Sequence, residues 1–327
     1  MRPINILGEP EQLEFRLTPE LQDFFVLSPF AVRRAEKYEM LLRLVNRDED
    51  PAKKISRIHY ADSTDGILFD VGLEVIGPGA PDDPDGAGCE DPTVAHDGDV
   101  YTAFYSGYNA PHQRSSMLAA TGETLGALRK AGVVLVRDEA YANPKEAALV
   151  ATSRGFRMFF EYARDGASHI GVADAPVLGG PWTYADSPIV QRGEAFDSWH
   201  LSPSSAIRRA DGTHVLFYNG ATKKTDWRIN YAVLDEAATI VLDRPRKPLV
   251  STFGLEAGDT DIAFAASALV DPSGDVWLYY SIADRKPYRC RLNVEGAVGD
   301  SAMRESISGD HRKPSKPPEA AGGSRAI

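Results

Sequence analysis

One pattern returns five times along the chain and constrains its fold more than any other feature. It is a short apolar strand, a polar turn, and a second strand rich in aromatic and aliphatic residues. The clearest copy runs Thr93-Val94, then the turn His96-Asp97-Gly98-Asp99, then Val100-Tyr101-Thr102-Ala103-Phe104-Tyr105-Ser106. The second strands of the five copies begin at Tyr38, Val100, Phe156, His214 and Val276, in steps of 62, 56, 58 and 62 residues. A period of that length holds about four strands, and one twisted sheet of that size has apolar faces it cannot cover by itself. Stacking such sheets around an axis buries them, so the expected fold is all-β, a five-bladed β-propeller. Paired β-sandwiches also supply many strands but do not account for one even period. Phe104, Phe159, Phe217 and Tyr279, on the second strands, are expected to pack between blades.

The repeats divide the chain into an N-terminal arm (residues 1–23), the propeller as a catalytic domain (24–300) and a flexible tail (301–327). The tail is rich in Lys, Pro, Gly and Ser. A formal net charge of −11 argues against a nucleic-acid partner, because phosphate backbones need clustered Lys and Arg. The first residues lack the apolar core of a signal peptide, and no apolar run reaches membrane-spanning length. Cys89 and Cys290 are the only cysteines, too few for a disulfide framework or a structural zinc site, although one bridge between them stays open. The expectation is a cytoplasmic protein without a membrane partner; self-association is left open.

Chemistry concentrates at Gly88-Cys89-Glu90-Asp91-Pro92-Thr93, where a loop rich in Gly, Pro and Asp gives way to a strand. Two adjacent carboxylates with Pro fixing the backbone behind them are placed to face a cleft; the competing reading is a solvated, capped turn. The repeat also puts Arg43, Ser106, Glu161, Asn219 and Ser281 at one equivalent position. Equivalent blade ends gather at one end of the axis, so Arg43, Glu90, Asp91, Lys145, Glu161, Asn219 and Asp284 are expected to converge. Carboxylates, an Arg, a Lys and nearby aromatic rings suit a carbohydrate, which offers hydroxyls to charged groups and apolar faces to rings. Glycosidic cleavage needs a proton donor and, across the sugar, a base or nucleophile. Burial or a neighbouring anion keeps such a donor protonated, and Asp91 beside Glu90 meets that condition. Among the histidines, His96, His112 and His214 read as ordinary turn or strand residues. His200 follows Trp199 into the fourth repeat on the presumed pocket side, where Trp199 is either a sugar platform or plain packing. No serine elbow, phosphate loop, dinucleotide-binding glycine pattern or zinc-type histidine spacing occurs. No cofactor is implied, and no acidic cluster singles out a channel cation.

In these residues the chain resembles glycoside hydrolase family 130, the β-mannoside phosphorylases and hydrolases. Gly88-Cys89-Glu90-Asp91-Pro92 is similar to the family's Gly-x-Glu-Asp-Pro-Arg. Further similarities are Ser56-Arg57-Ile58-His59-Tyr60-Ala61 with Asp65-Gly66, Arg43, Lys145 before Ala147-Ala148-Leu149, Tyr218-Asn219-Gly220, and Tyr279-Tyr280-Ser281-Ile282-Ala283-Asp284. The resemblance covers about residues 24 to 293. It implies a five-bladed propeller, an inverting reaction and Asp91 as general acid, in some members through a substrate hydroxyl. The family's phosphorylases hold inorganic phosphate, a co-substrate, with Arg, Lys and His. Here Thr93 stands in place of the motif's Arg, Glu161 in place of a third-blade Arg, and Asn219 in place of the His. Losing cations and gaining a carboxylate should expel a phosphate dianion. The expectation is therefore an inverting hydrolase of β-linked mannosides with Glu161 as base. Arg43, Arg57, Glu90, Ser106, Asn109, Lys145, Trp199, His200, Asn219 and Asp284 are the candidate substrate-binding residues. A phosphorylase releasing mannose 1-phosphate and a non-catalytic sugar-binding propeller are the alternatives.

Overall fold

A computed structural model describes residues 2–50, 53–136, 139–185 and 189–299. Each repeat folds into an antiparallel sheet whose strands follow one another outward from the axis. Blade 1 is Phe24–Arg34, Lys37–Asn46, Ser56–Ser63 and Leu68–Ile76. Blade 2 is Gly88–His96, Tyr101–Asn109, Arg114–Gly122 and Arg129–Leu135. Blade 3 is Ala142–Thr152, Gly155–Arg164, Ala167–Ala175 and Thr183–Tyr184. Blade 4 is His200–Arg209, His214–Ala221, Arg228–Leu234 and Val241–Asp243. Blade 5 is Ala263–Val270, Val276–Ile282, Lys286–Leu292 and Ile6–Gln12. The five first strands contact one another in a closed ring, blade 1 to 2 to 3 to 4 to 5 and back to 1. The fold is a five-bladed β-propeller, and each predicted second strand is the second strand of a blade.

The N-terminal stretch does not stand apart as an arm. Ile6–Gln12 pairs antiparallel with Lys286–Leu292 as the outer strand of blade 5, and Glu14–Arg16 pairs parallel with Leu68–Asp70 of blade 1. One segment thus crosses the seam where the ring closes and covers an edge of unpaired backbone groups. Its Gly8-Glu9-Pro10 sequence lacks strand alternation, which is why the repeat does not reveal it. The tail assigned to 301–327 lies outside the described residues. Among the described residues, no helix is long and apolar enough to cross a membrane.

Apolar packing falls into five clusters, each filling the wedge between consecutive blades. Leu41, Ile58 and Tyr105 join blades 1 and 2; Phe104, Met158 and Phe160 join 2 and 3; Phe159, Leu216 and Tyr218 join 3 and 4. Phe217, Leu278 and Tyr280 join blades 4 and 5, and Tyr279, Met40 and Phe69 join 5 and 1. Phe104, Phe159, Phe217 and Tyr279 are fully buried, as aromatic residues between stacked sheets should be.

Every inner strand carries a bulge where it passes the axis. The pairing register slips between Leu27 and Phe30, Glu90 and Thr93, Lys145 and Ala147, Pro203 and Ser205, and Ala265 and Ser267. Extra residues turn Ser28, Asp91, Glu146, Ser204 and Ala266 out of the pleat. Inner-strand backbone groups then bond to side chains of the preceding blade. Thr93 Oγ1 donates to Ala147 O at 2.6 Å. Ser267 Oγ accepts from Ala31 N at 3.0 Å and donates to Pro29 O at 2.9 Å. Replacing Ser267 with Ala strands both groups in a fully buried seam, so we expect a loss of about 1–3 kcal/mol, read by urea unfolding. An unchanged midpoint would contradict the clamp.

Candidate active site

The bulges set the geometry at one end of the axis. Ser28, Asp91 and Glu146 have φ of 47°, 48° and 46°, a left-handed conformation that costs a residue other than glycine roughly 1–2 kcal/mol. Such conformations persist where surrounding structure enforces them, and they cluster at functional sites. In blades 1 and 2 a proline follows the left-handed residue, Pro29 and Pro92, and limits the backbone further. The effect is to aim two carboxyls and a hydroxyl into a cavity of about 710 Å³ at the axis.

Among the described residues, six carboxyls line this cavity, Glu90, Asp91, Glu146, Glu161, Asp259 and Asp284, against four cations, Arg43, Lys54, Lys145 and Arg285. Arg43 bridges the first pair: Nη2 donates to Glu90 Oε1 at 2.5 Å and Nη1 to Asp91 Oδ1 at 3.4 Å. Ser28 Oγ donates to the same Asp91 Oδ1 at 2.5 Å, and Ser56 Oγ to Glu90 Oε1 at 3.1 Å. Lys145 Nζ lies 3.2 Å from Glu161 Oε1 and 3.9 Å from Glu146 Oε1. Ser168 Oγ donates to Glu161 Oε1 at 2.6 Å. Arg285 pairs with Asp259.

Electrostatics follow from this crowding. Glu161, with Glu146, Asp91 and Glu90 behind it, raises the Lys145 ammonium well above its usual range and outweighs burial. Burial opposes the Arg43 charge, but Glu90, Asp91, Glu146 and Asp284 together raise it. Burial, then Asp91 and Glu161, push the Glu146 carboxyl up despite Lys145 and Ser202. Burial and Asp91 also raise Asp284, against the pull of Arg43. A buried space with more acids than bases retains protons on some of its carboxyls.

Six residues expected from sequence meet here: Arg43, Glu90, Asp91, Lys145, Glu161 and Asp284. The other six take different places. Asn219 is fully buried between blades 4 and 5, accepting from Ala265 N at 2.7 Å and donating to Ala265 O at 3.2 Å. Ser106 Oγ accepts from Glu146 N at 3.0 Å and so supports the blade 3 bulge from behind. Asn109 Nδ2 donates to Asp83 O in the loop before blade 2, and its Oδ1 accepts from His112 N in the turn that follows. Arg57 pairs with Glu74 at 3.1 Å. Trp199 lies outside the lining, with Arg192 and Lys223 over its ring. His200 sits behind the wall: its Nδ1 accepts from Ser168 N at 3.1 Å, which leaves any ring proton on Nε2, and burial lowers its pKa. Thr93, at the motif's Arg position, is spent on the blade 2–3 clamp.

Of the lining residues that the sequence does not single out, Trp227 and Glu146 matter most for chemistry. Trp227 opens the third strand region of blade 4 and stands in the wall with Phe25 and Phe264; its ring meets Phe264 edge-on at 5.2 Å. It takes the aromatic place expected of Trp199. Glu146 was legible only as the residue after Lys145. Its bulge matches that of Asp91, and an acid at both bulges is the signal that marks it. Among the described residues, no group of three or more His, Cys, Asp or Glu is arranged to hold a metal ion.

Comparisons with known proteins agree with this architecture. The sequence profile of the family described as beta-1,4-mannooligosaccharide phosphorylase, glycoside hydrolase 130, matches residues 22–287. Among curated protein sequences, none matches the chain. The beta-1,2-mannobiose phosphorylase from Listeria innocua, solved with beta-1,2-mannobiose, has a similar structure: TM-score 0.70, 17% identity, covering 90% of this chain and 96% of that one. A structure from work on family 130 glycoside hydrolases that target beta-1,2 mannosidic linkages in Candida mannan superposes with a TM-score of 0.72 at 19% identity, covering 88% and 96%. A mannose phosphorylase from Leishmania mexicana, in complex with phosphate ion, gives 0.65 at 14% identity, covering 90% and 93%. At these identities the likeness is one of fold, while the profile match spans most of the chain. The chain therefore belongs to glycoside hydrolase family 130 and is a glycoside-processing enzyme.

Proposed function

We propose that the protein is an inverting hydrolase of β-linked mannosides, with Asp91 as general acid and Glu161 as general base. The observation that carries this reading is the excess of carboxyls over cations lining the cavity among the described residues, six against four. Arg43, Lys145 and Arg285 are already paired with carboxylates. An incoming phosphate dianion has to displace those partners while facing the remaining anions, and like charges in a low-dielectric cavity repel strongly. Water carries no such penalty.

In the proposed reaction, Asp91 gives its proton to the departing glycosidic oxygen, directly or through a substrate hydroxyl. Glu161 takes a proton from water, whose oxygen bonds to the anomeric carbon from the opposite face. Both donors to Asp91, Ser28 and Arg43, land on Oδ1, so a proton on Oδ2 costs neither bond. Glu161 accepts from Lys145 and Ser168, bonds to the charged form that a base requires. Trp227 and Phe264 offer apolar faces for a sugar ring. Glu90 and Asp284 supply acceptors for its hydroxyls.

The test is turnover of mannobioses of different linkage with and without inorganic phosphate. We expect mannose at the same rate in both, and a strict phosphate requirement would replace this reading with phosphorolysis. Binding without turnover would make the protein a sugar-binding propeller. Asp91→Asn and Glu161→Gln should each lower kcat by about 10²–10⁴ with the thermal transition unchanged; wild-type rates in either would remove that role. Trp227→Ala should raise KM ~10-fold, and Trp199→Ala should leave it unchanged.

A further inference from the structure

Below the main cavity, on the axis, lies a second space of about 20 Å³ lined by Ser28, Asp91, Glu146 and Ser204 among others, room for about one water molecule. The Ser204 hydroxyl facing it is buried and has no partner among the described residues. Asp91 and Glu146 occupy matching bulges of adjacent inner strands and line both spaces. Glu146 is fixed from two sides: Ser202 Oγ of blade 4 donates to its Oε2 at 2.8 Å, and Ser106 Oγ of blade 2 holds its backbone N–H. Among the described residues, its one ion pair within 4.0 Å is from Oε1 to Lys145, at 3.9 Å.

We propose that Glu146 is a positioning residue for the reaction, holding one proton in common with Asp91 across this one-water space and so keeping Asp91 supplied for the departing oxygen. The inference rests on the reading of Asp91 as the acid. The groups facing Glu146 are Arg43 from blade 1, Asp91 from blade 2, Lys145 and Glu161 from blade 3, and Ser202 from blade 4. Blade 5 contributes Phe264, Ala265 and Ala266 to the axial space and no charge. Lys145 is nearer to Glu161 than to Glu146, and Arg43 is bonded to Glu90 and Asp91. Two cations thus serve four carboxyls, Glu90, Asp91, Glu146 and Glu161, so the half-buried Asp91 and the buried Glu146 cannot both ionise cheaply, and one proton stays between them. Burial and the two neighbouring acids hold Glu146 protonated above the usual carboxylate range, in accord with that arrangement.

The pH profile of kcat/KM on the best mannobiose substrate distinguishes this role from a structural one. Glu146→Gln removes one of the two carboxyls that share the proton. The alkaline limb is expected to move to lower pH by about one unit or more. Ser202→Ala removes a donor that favours the charged form of Glu146, so its alkaline limb is expected to move the other way. Opposite displacements support the shared proton; limbs that stay at the wild-type pH in both variants, whatever the change in rate, overturn it. Circular dichroism confirms folding, and should Glu146→Gln not fold, the Ser202→Ala limb decides alone. Asp91→Asn separates the two levels: wild-type turnover there defeats the proposed acid, whereas an inactive Asp91→Asn with unmoved limbs defeats only the role of Glu146.

Discussion

A side chain reaches the axis of a propeller in a chosen direction only where an inner strand breaks its pleat. In this protein all five inner strands break it at the same level. The extra residue in each bulge leaves one position unpaired and free to turn inward, and three of these positions adopt left-handed backbone without glycine. Local strain of that kind survives because the rest of the ring fixes it: apolar wedges between every pair of blades, side-chain clamps from Thr93, Asn219 and Ser267, and an N-terminal strand that spans the seam. Packing far from the axis thus decides where the carboxyls of Asp91 and Glu146 point.

Charge then separates the possible chemistries. The cavity brings more acids than bases together and pairs its central cations internally. Burial and neighbouring acids push the Glu146 and Asp284 carboxyls up, and in the proposed reaction the same surplus of anions weighs against a dianionic co-substrate. The two effects share one cause, the placement of Glu161 and Glu146 around Lys145. A single cation in place of Glu161 would reverse the balance on that wall.

Much of this was legible in the chain. Period, strand order and the inter-blade role of Phe104, Phe159, Phe217 and Tyr279 follow from alternation and repeat spacing, which report burial directly. The meeting of Arg43, Asp91, Lys145 and Glu161 followed from register, because equivalent positions of a cyclic repeat share a height on the axis. Register does not say which way a side chain turns. Asn219 and Ser106 stand near that height but face the seams between blades, where backbone groups need partners. Trp199 stands aside from the cavity, with Arg192 and Lys223 over its ring. Glu146 escaped notice because a bulge shifts the alternation by one residue, and pattern reading assumes the pleat continues. The N-terminal strand was hidden for another reason: it lies almost the whole chain length away from the strand it pairs with.

In the proposed reaction, water activated opposite Asp91 attacks the anomeric carbon in one displacement. Proton NMR of the first mannose released from a β-linked mannobiose tests it most directly. The α-anomer is expected to appear first and then mutarotate, with no phosphorylated sugar at any phosphate concentration. Initial release of the β-anomer, or accumulation of mannose 1-phosphate, would contradict it.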